Sequence, residues 1–70
     1  MKKMVKVIEV IAASEKSFDD AARIAVAEAA KTVKNIHSVY IKNMNVNVEN
    51  NQIVSWAVNA KISFLLEEKE

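Results

Sequence analysis

Few side chains in this 70-residue sequence are of the types that catalyse reactions, and none stands in a catalytic pattern. His37 is the single histidine, and no nucleophile or carboxylate motif accompanies it, so a surface or interface histidine is favoured over a general base. Ser14 and Ser17 lack the turn that exposes a nucleophilic serine, and turn or helix-cap roles suit them better. The sequence therefore predicts that the protein is not an enzyme.

The acidic and aromatic candidates also have structural explanations. Three carboxylates fall in a predicted helix and suit its solvent-exposed surface: Asp19, Asp20 and Glu28. Trp56 falls on the core side of the last predicted strand, which favours a core or rim aromatic over a stacking platform for a ligand. Tyr40 falls on the opposite side of its strand from its apolar neighbours, so it would contact either a partner subunit or a ligand.

Bulk composition limits the classes of function. Ten basic residues face nine acidic ones, and a net charge of +1 provides little attraction for nucleic acid or an anionic membrane. No apolar run approaches the ~20 residues of a membrane span, and the apolar stretch after the Lys2–Lys3 start is too short for a signal peptide. The sequence predicts a soluble, cytoplasmic protein with no nucleic-acid partner and no membrane partner.

The size of the chain predicts a single domain over residues 1–70 that needs additional stabilisation. A domain of this length buries only about 60% of its unfolded surface. The chain has no cysteine and one histidine, which excludes disulfides, thiolate metal sites and a multi-histidine site within one chain. Because small folds usually add disulfides, a metal or oligomerisation, self-association is the means that remains.

Hydrophobic spacing predicts three strands and one helix in the order β-α-β-β. The predicted elements are a strand at Met4–Ala12, a helix at Phe18–Lys34, a strand at Ile36–Val48, a hairpin turn at Glu49–Gln52 and a strand ending near Leu66. Ser17 is the predicted N-cap, and Asp20 stands at the spacing of a capping box. The first strand has apolar residues on both sides, which is typical of a strand buried on both faces. The last four residues are predicted to be a solvated tail.

The connectivity predicts an α+β fold with a three-stranded antiparallel sheet wrapped around the helix. A right-handed crossover followed by a hairpin places the third strand in the middle, in the order 1-3-2. The apolar positions of the second strand move from odd to even numbers, which predicts a β-bulge near Lys42–Asn43. The even-numbered side of the third strand faces the helix, along the predicted stripe Phe18, Ala22, Ala25, Val26, Ala29 and Val33. The odd-numbered side has no covering element and favours contact with another subunit.

Short motifs occur in a fixed order along nearly the whole chain: Lys6–Glu9, Ser14, Ser17–Phe18, Thr32–Ile36 and Ser63–Leu66. In this set the sequence resembles the dodecins, a family of small flavin-binding proteins. The resemblance implies a β-α-β-β protomer that assembles into a hollow homododecamer. It also implies binding of flavin, riboflavin or FMN, two to a site near the three-fold axes, in a storage or buffering role.

The resemblance also implies which positions would face a flavin, and two of them carry different residues here. The tryptophan that stacks on the flavin ring in this family is replaced by Ser38, and a glutamine that hydrogen-bonds the ring edge is replaced by Ala57. The predicted cofactor-binding residues are Ser38, Ala57, Tyr40 and His37. Two expectations follow: a ligand-binding shell with weakened flavin affinity, or a structural dodecamer with a degenerate flavin site that binds another ligand or none.

Overall fold

A computed structural model describes residues 4–66 of the chain. Its elements are β1 (Met4–Ser14), α1 (Phe18–Ala30), β2 (Ile36–Glu49) and β3 (Gln52–Leu66). The strands form one antiparallel sheet in the order β1-β3-β2. This confirms the α+β class, the β-α-β-β order and the strand order predicted from the sequence. The predicted tail at residues 67–70 and the lysine pair at residues 2–3 lie outside the described residues.

The start of α1 is fixed by hydrogen bonds between polar side chains and the backbone. The Ser17 hydroxyl accepts the backbone N–H of Asp20 at 3.0 Å, as the predicted N-cap requires. The buried Ser14 hydroxyl donates to Oδ2 of Asp20 at 2.7 Å and accepts the backbone N–H of Lys16 at 2.9 Å. The prediction of Asp20 as a simple surface charge is therefore wrong, because its half-buried carboxylate ties the end of β1 to the first turn of α1.

The helix ends at Ala30, four residues before the predicted end at Lys34. The backbone N–H groups of Thr32 and Val33 both donate to the carbonyl oxygen of Ala29, at 3.1 and 2.9 Å, which closes the helix in a tight turn. Both residues are β-branched and have low helix propensity. Asn35 then takes a left-handed conformation with φ of 63°, which turns the chain into β2.

The core lies between α1 and the side of the sheet that faces it. The buried helix residues are Ala21, Ala25 and Ala29, and the predicted stripe included only the last two. Their small side chains let the helix lie close against β3, where Val58 and Ile62 are the largest fully buried side chains. The helix packs on β1 and β3 and scarcely touches β2. A short, alanine-rich core of this kind supplies limited apolar burial to a single chain.

The predicted bulge in β2 is confirmed between Ile41 and Asn43. It keeps Ile41 opposite Ala60 and Met44 opposite Val58, so apolar residues before and after it lie on the helix side of the sheet. Two further irregularities occur, between Ile36 and Ser38 and between Asn47 and Val48. The hairpin turn uses Asn50 and Asn51 at φ of 51° and 63°, a left-handed pair that asparagine tolerates.

The prediction that β1 is buried on both faces is wrong for the single chain. Ile8, Val10 and Ala12 face α1 and are half-buried. The alternate residues Val5, Val7 and Ile11 are exposed by 53, 54 and 75%. Since α1 covers only one side of the sheet, no described residue of the same chain covers the second apolar row of β1.

Candidate functional site

The predicted cofactor-binding residues lie on β2 and β3, away from the core. We call the sheet face opposite α1 the outer face. It carries the odd-numbered residues of β1 and, from Ser55 onward, of β3, together with five residues of β2: Ser38, Tyr40, Asn43, Asn45 and Asn47. His37 is exposed and lies within the irregularity that precedes Ser38, so it extends one end of this face. Along β2 and β3 this surface is mostly neutral and rich in hydroxyl and amide groups, whereas β1 contributes the exposed apolar side chains of Val5, Val7 and Ile11.

One end of the outer face is built around paired serines, and we call it the serine end: Ser38, Tyr40, Lys61 and Ser63. The register places Ser38 opposite Ser63, and their hydroxyl oxygens are 2.6 Å apart. Tyr40 lies opposite Lys61, and its side chain is 65% exposed. The exposed phenol and the hydroxyl pair therefore form an open aromatic and hydrogen-bonding surface.

The other end is built around Ala57, which pairs with Ala13 on β1 and Asn45 on β2, and we call these three residues the alanine end. Ala57 is only 6% exposed although it lies on the uncovered face. The side chain of Ala57 is a single methyl group in the central strand, and the strands on both sides shield it from solvent. Trp56 lies on the helix side, opposite Ser14 and Val46, and is half-buried, in agreement with the predicted core or rim position.

The structure does not bring Ser38 and Ala57 together. Ser38 pairs with Ser63, which stands six residues from Ala57 along β3. At 3.2–3.4 Å per residue, this spacing separates the two positions by roughly 20 Å. One chain therefore does not present both positions to the same small ligand.

Amide side chains occupy the middle of the outer face. Asn59 lies opposite Asn43, and its Oδ1 is buried with no hydrogen-bond partner within residues 4–66. Beside it, Lys42 Nζ lies 3.4 Å from Oε2 of Glu9, an exposed pair that contributes little stability. The alternation along β3 identifies Asn59 only as one of several neutral polar positions on this face. An amide side chain on a central strand is itself a sequence signal of an unusual position. Its carbonyl oxygen is shielded from water there and needs a hydrogen-bond donor.

The described part of the chain contains no group of three or more acidic or histidine side chains placed to hold a metal ion. Among the same residues, α1 is too short and too polar to cross a membrane.

A family model for dodecins matches residues 4–67. The chain belongs to the dodecin family. The match includes all four elements and the whole outer face of this dodecin. A comparison with curated protein sequences finds no relative.

Solved dodecin structures resemble this dodecin closely in fold. The Streptomyces coelicolor dodecin is 30% identical, covers 96% of each chain and superposes with a TM-score of 0.90. A substitution variant of the Thermus thermophilus dodecin is 25% identical over 97% of this chain and 100% of that chain, with a TM-score of 0.91. A calcium dodecin from Mycobacterium tuberculosis, described with a novel calcium-binding site, is 24% identical over 96% of each chain, with a TM-score of 0.80. The last likeness shows the shared fold alone.

Proposed function

We propose that this dodecin assembles into a homododecameric shell that binds and buffers a small planar ligand, with riboflavin or FMN as the candidate. The observation that carries the proposal is the outer face. It is open and neutral, exposes Tyr40, and has its two ends too far apart to hold one small ligand within a single chain. Ligand binding in this arrangement requires assembly, with the serine end of one copy facing the alanine end of another.

Assembly is supported by the amount of apolar surface that one chain leaves uncovered. Within residues 4–66 the largest fully buried side chains are only Val58 and Ile62, while Val5, Val7 and Ile11 remain more than half exposed. Monomeric proteins rarely expose contiguous apolar surface of this kind. Light scattering at micromolar concentration is expected to show a large oligomer with little free monomer. A stable monomer or dimer would contradict the assembly.

The residues present fit a flavin only in part. Tyr40 offers an exposed ring, and the serine hydroxyls offer hydrogen bonds to the polar edge of a heterocycle. Ser38 offers no aromatic plane, which removes roughly 0.5–1.5 kcal/mol of stacking. Ala57 offers no side-chain donor or acceptor, which removes about another 0.5–1.5 kcal/mol. Together these losses weaken binding by about one to two decades relative to a site with both groups.

Riboflavin titration of the parent and the variant Ser38→Trp with Ala57→Gln tests this function. The variant is expected to quench flavin fluorescence at concentrations about one to two decades lower than the parent. Lys34→Trp adds the same ring at an exposed position outside the sheet and serves as the control. Tight binding by the parent would instead mean that Tyr40 or His37 stacks on the ring.

One observation favours the alternative of a structural dodecamer with a degenerate ligand site. The hydroxyls of Ser38 and Ser63 already bond to each other at 2.6 Å, and Ala57 is buried. The Ser38 hydroxyl thus already has a hydrogen-bond partner in its own chain, although it is exposed, and the Ala57 side chain is already shielded from solvent. Equally negligible quenching by the parent and the double variant, with the oligomer intact, would support this alternative.

A further inference from the structure

The turn end of the β2–β3 hairpin extends beyond the rest of the molecule. We call residues 44–55 the arm. The last residue of β1, Ser14, pairs with Trp56, so no third strand of residues 4–66 lies beside the tip of the arm. The described chain is 57 Å long and 13 Å thick, whereas a 13-residue helix spans only about 20 Å. The helix is therefore too short to cover the arm.

The two faces of the arm differ in polarity. On the outer face stand Asn45, Asn47 and Ser55, and the Asn47 amide donates to the Ser55 hydroxyl at 2.7 Å. The helix-side face carries apolar residues that are exposed by 57, 37, 56 and 52%, respectively: Met44, Val46, Val48 and Ile53. The alternation is that of a strand with one buried face, but no part of the described chain covers this one. The apolar face of the arm therefore needs a partner.

A matching surface lies on the helix of the same chain. Ala22, Arg23, Val26 and Ala27 line a shallow depression of about 370 Å³ on the side of α1 turned away from the core. Its apolar side chains are small, so a strand can approach the helix closely. Val48 and Ile53 on the arm are branched and exposed, so they offer apolar side chains of a size to pack against such small residues.

The charges on the two surfaces also match. Glu49 is the only charged residue of the arm, and it lies at the tip. Among the described residues that line the depression, Arg23 alone is charged. Both are exposed, and neither forms a salt bridge with another described residue. A cation and an anion without partners thus border two uncovered apolar surfaces of similar character.

We propose that the arm of one copy lies in the helix depression of a second copy, with Val48 and Ile53 against Ala22 and Val26 and with Glu49 paired to Arg23. This inference rests on the proposed assembly and specifies the partner of one surface. The contact is heterologous, since the arm and the helix depression are different surfaces, so each copy donates an arm and accepts another. Such contacts close into rings or shells when the rotation between copies permits.

Charge exchange tests the pairing. Arg23→Glu or Glu49→Arg alone is expected to raise the protein concentration at half-assembly about tenfold, measured by sedimentation, because each places like charges together. The double variant is expected to recover most of this loss. Lys16→Glu and Glu15→Arg are matched controls on the exposed β1–α1 turn and are expected to assemble like the parent. A double variant no better than the worse single variant would overturn the proposed ion pair.

Cross-linking tests the contact independently of the charges. The chain has no cysteine, so an Ala22→Cys chain refolded together with a mass-tagged Val48→Cys chain forms a mixed disulfide only across two copies. A disulfide needs Cα atoms about 4.4–6.8 Å apart, and efficient mixed cross-linking is expected. Preferential cross-linking of Val48→Cys to Ile11→Cys or Lys61→Cys would instead place the arm on the outer face of its neighbour and overturn the proposal.

The two hypotheses fail in different ways. A parent protein that stays monomeric would refute the assembly and the arm contact together. An assembled parent that gives no Ala22–Val48 mixed disulfide would refute the arm contact alone.

Discussion

Overpacking the contact between α1 and β3 tests the registry on which the core depends. Ala25 is 3% exposed and lies in one cluster with Ala29 and Ile62, which is fully buried. Replacing its methyl group in Ala25→Leu inserts three further carbon atoms where helix and sheet are in contact. The helix cannot keep its present distance from β3 and also accommodate the larger side chain.

The expected cost follows from the tightness of that contact. Extra methylenes in a well-packed core usually destabilise by about 1–3 kcal/mol. For a domain of 60–100 residues, each kcal/mol lowers the melting temperature by roughly 4–8 °C. Ala25→Leu is therefore expected to lower the melting temperature by on the order of 5–20 °C.

Circular dichroism during heating measures the effect, at one fixed protein concentration because the melting temperature of an oligomer depends on it. Ala30→Leu is the matched control, since Ala30 belongs to the same helix but is exposed. Its melting temperature is expected to stay within about 2 °C of the parent value. An Ala25→Leu protein that melts like the parent, or a control that falls equally far, would refute the assigned registry of α1 on the sheet.

Three further predictions probe the turns and the bulge. Ser14→Ala is expected to lower the free energy of unfolding by about 1–2 kcal/mol in urea titration, because it removes the bonds to Asp20 and Lys16; an unchanged midpoint would contradict that role. Asn51→Ala is expected to cost about 1–2 kcal/mol because its φ is 63°, whereas Asn51→Gly is expected to cost under about 0.5 kcal/mol; equal losses would argue against a left-handed turn. Deletion of Lys42 removes only the bulged residue, so the variant is expected to unfold cooperatively. Deletion of Asn45 reverses the two faces of the arm, so that variant is expected to lose cooperative unfolding. Cooperative unfolding of both deletion variants would refute the register.

Much of the fold follows from local patterns in the sequence. The central position of β3 follows from its clean alternation together with the single helical crossover, and the bulge follows from the change of apolar parity after Ile41. The end of α1 was mispredicted because Lys31 and Lys34 continue the charge pattern of a helix. The backbone closes earlier, where β-branched residues lower helix propensity, and charge pattern alone does not report that preference.

The candidate site was predictable in part. Alternation places Tyr40, Ser55 and Asn59 on the face away from α1, and the structure agrees. Strand register, however, sets the roughly 20 Å between Ser38 and Ala57, and no single position in the sequence displays it. The anchoring role of Asp20 was missed for a related reason, since its partner Ser14 lies outside the helix and only the fold brings the two together.

Element lengths contain information about assembly that residue patterns alone do not. β2 has 14 residues and spans about 46 Å, whereas α1 has 13 residues and spans about 20 Å. One helix therefore covers less than half of the longer strand, yet apolar alternation continues through Met44, Val46 and Val48 to its far end. Selection for solubility of a lone chain would favour polar residues there, as it does on the other face of the same arm. An amphipathic strand that extends beyond the helix of its own chain thus supports the proposal that a second copy covers its apolar face.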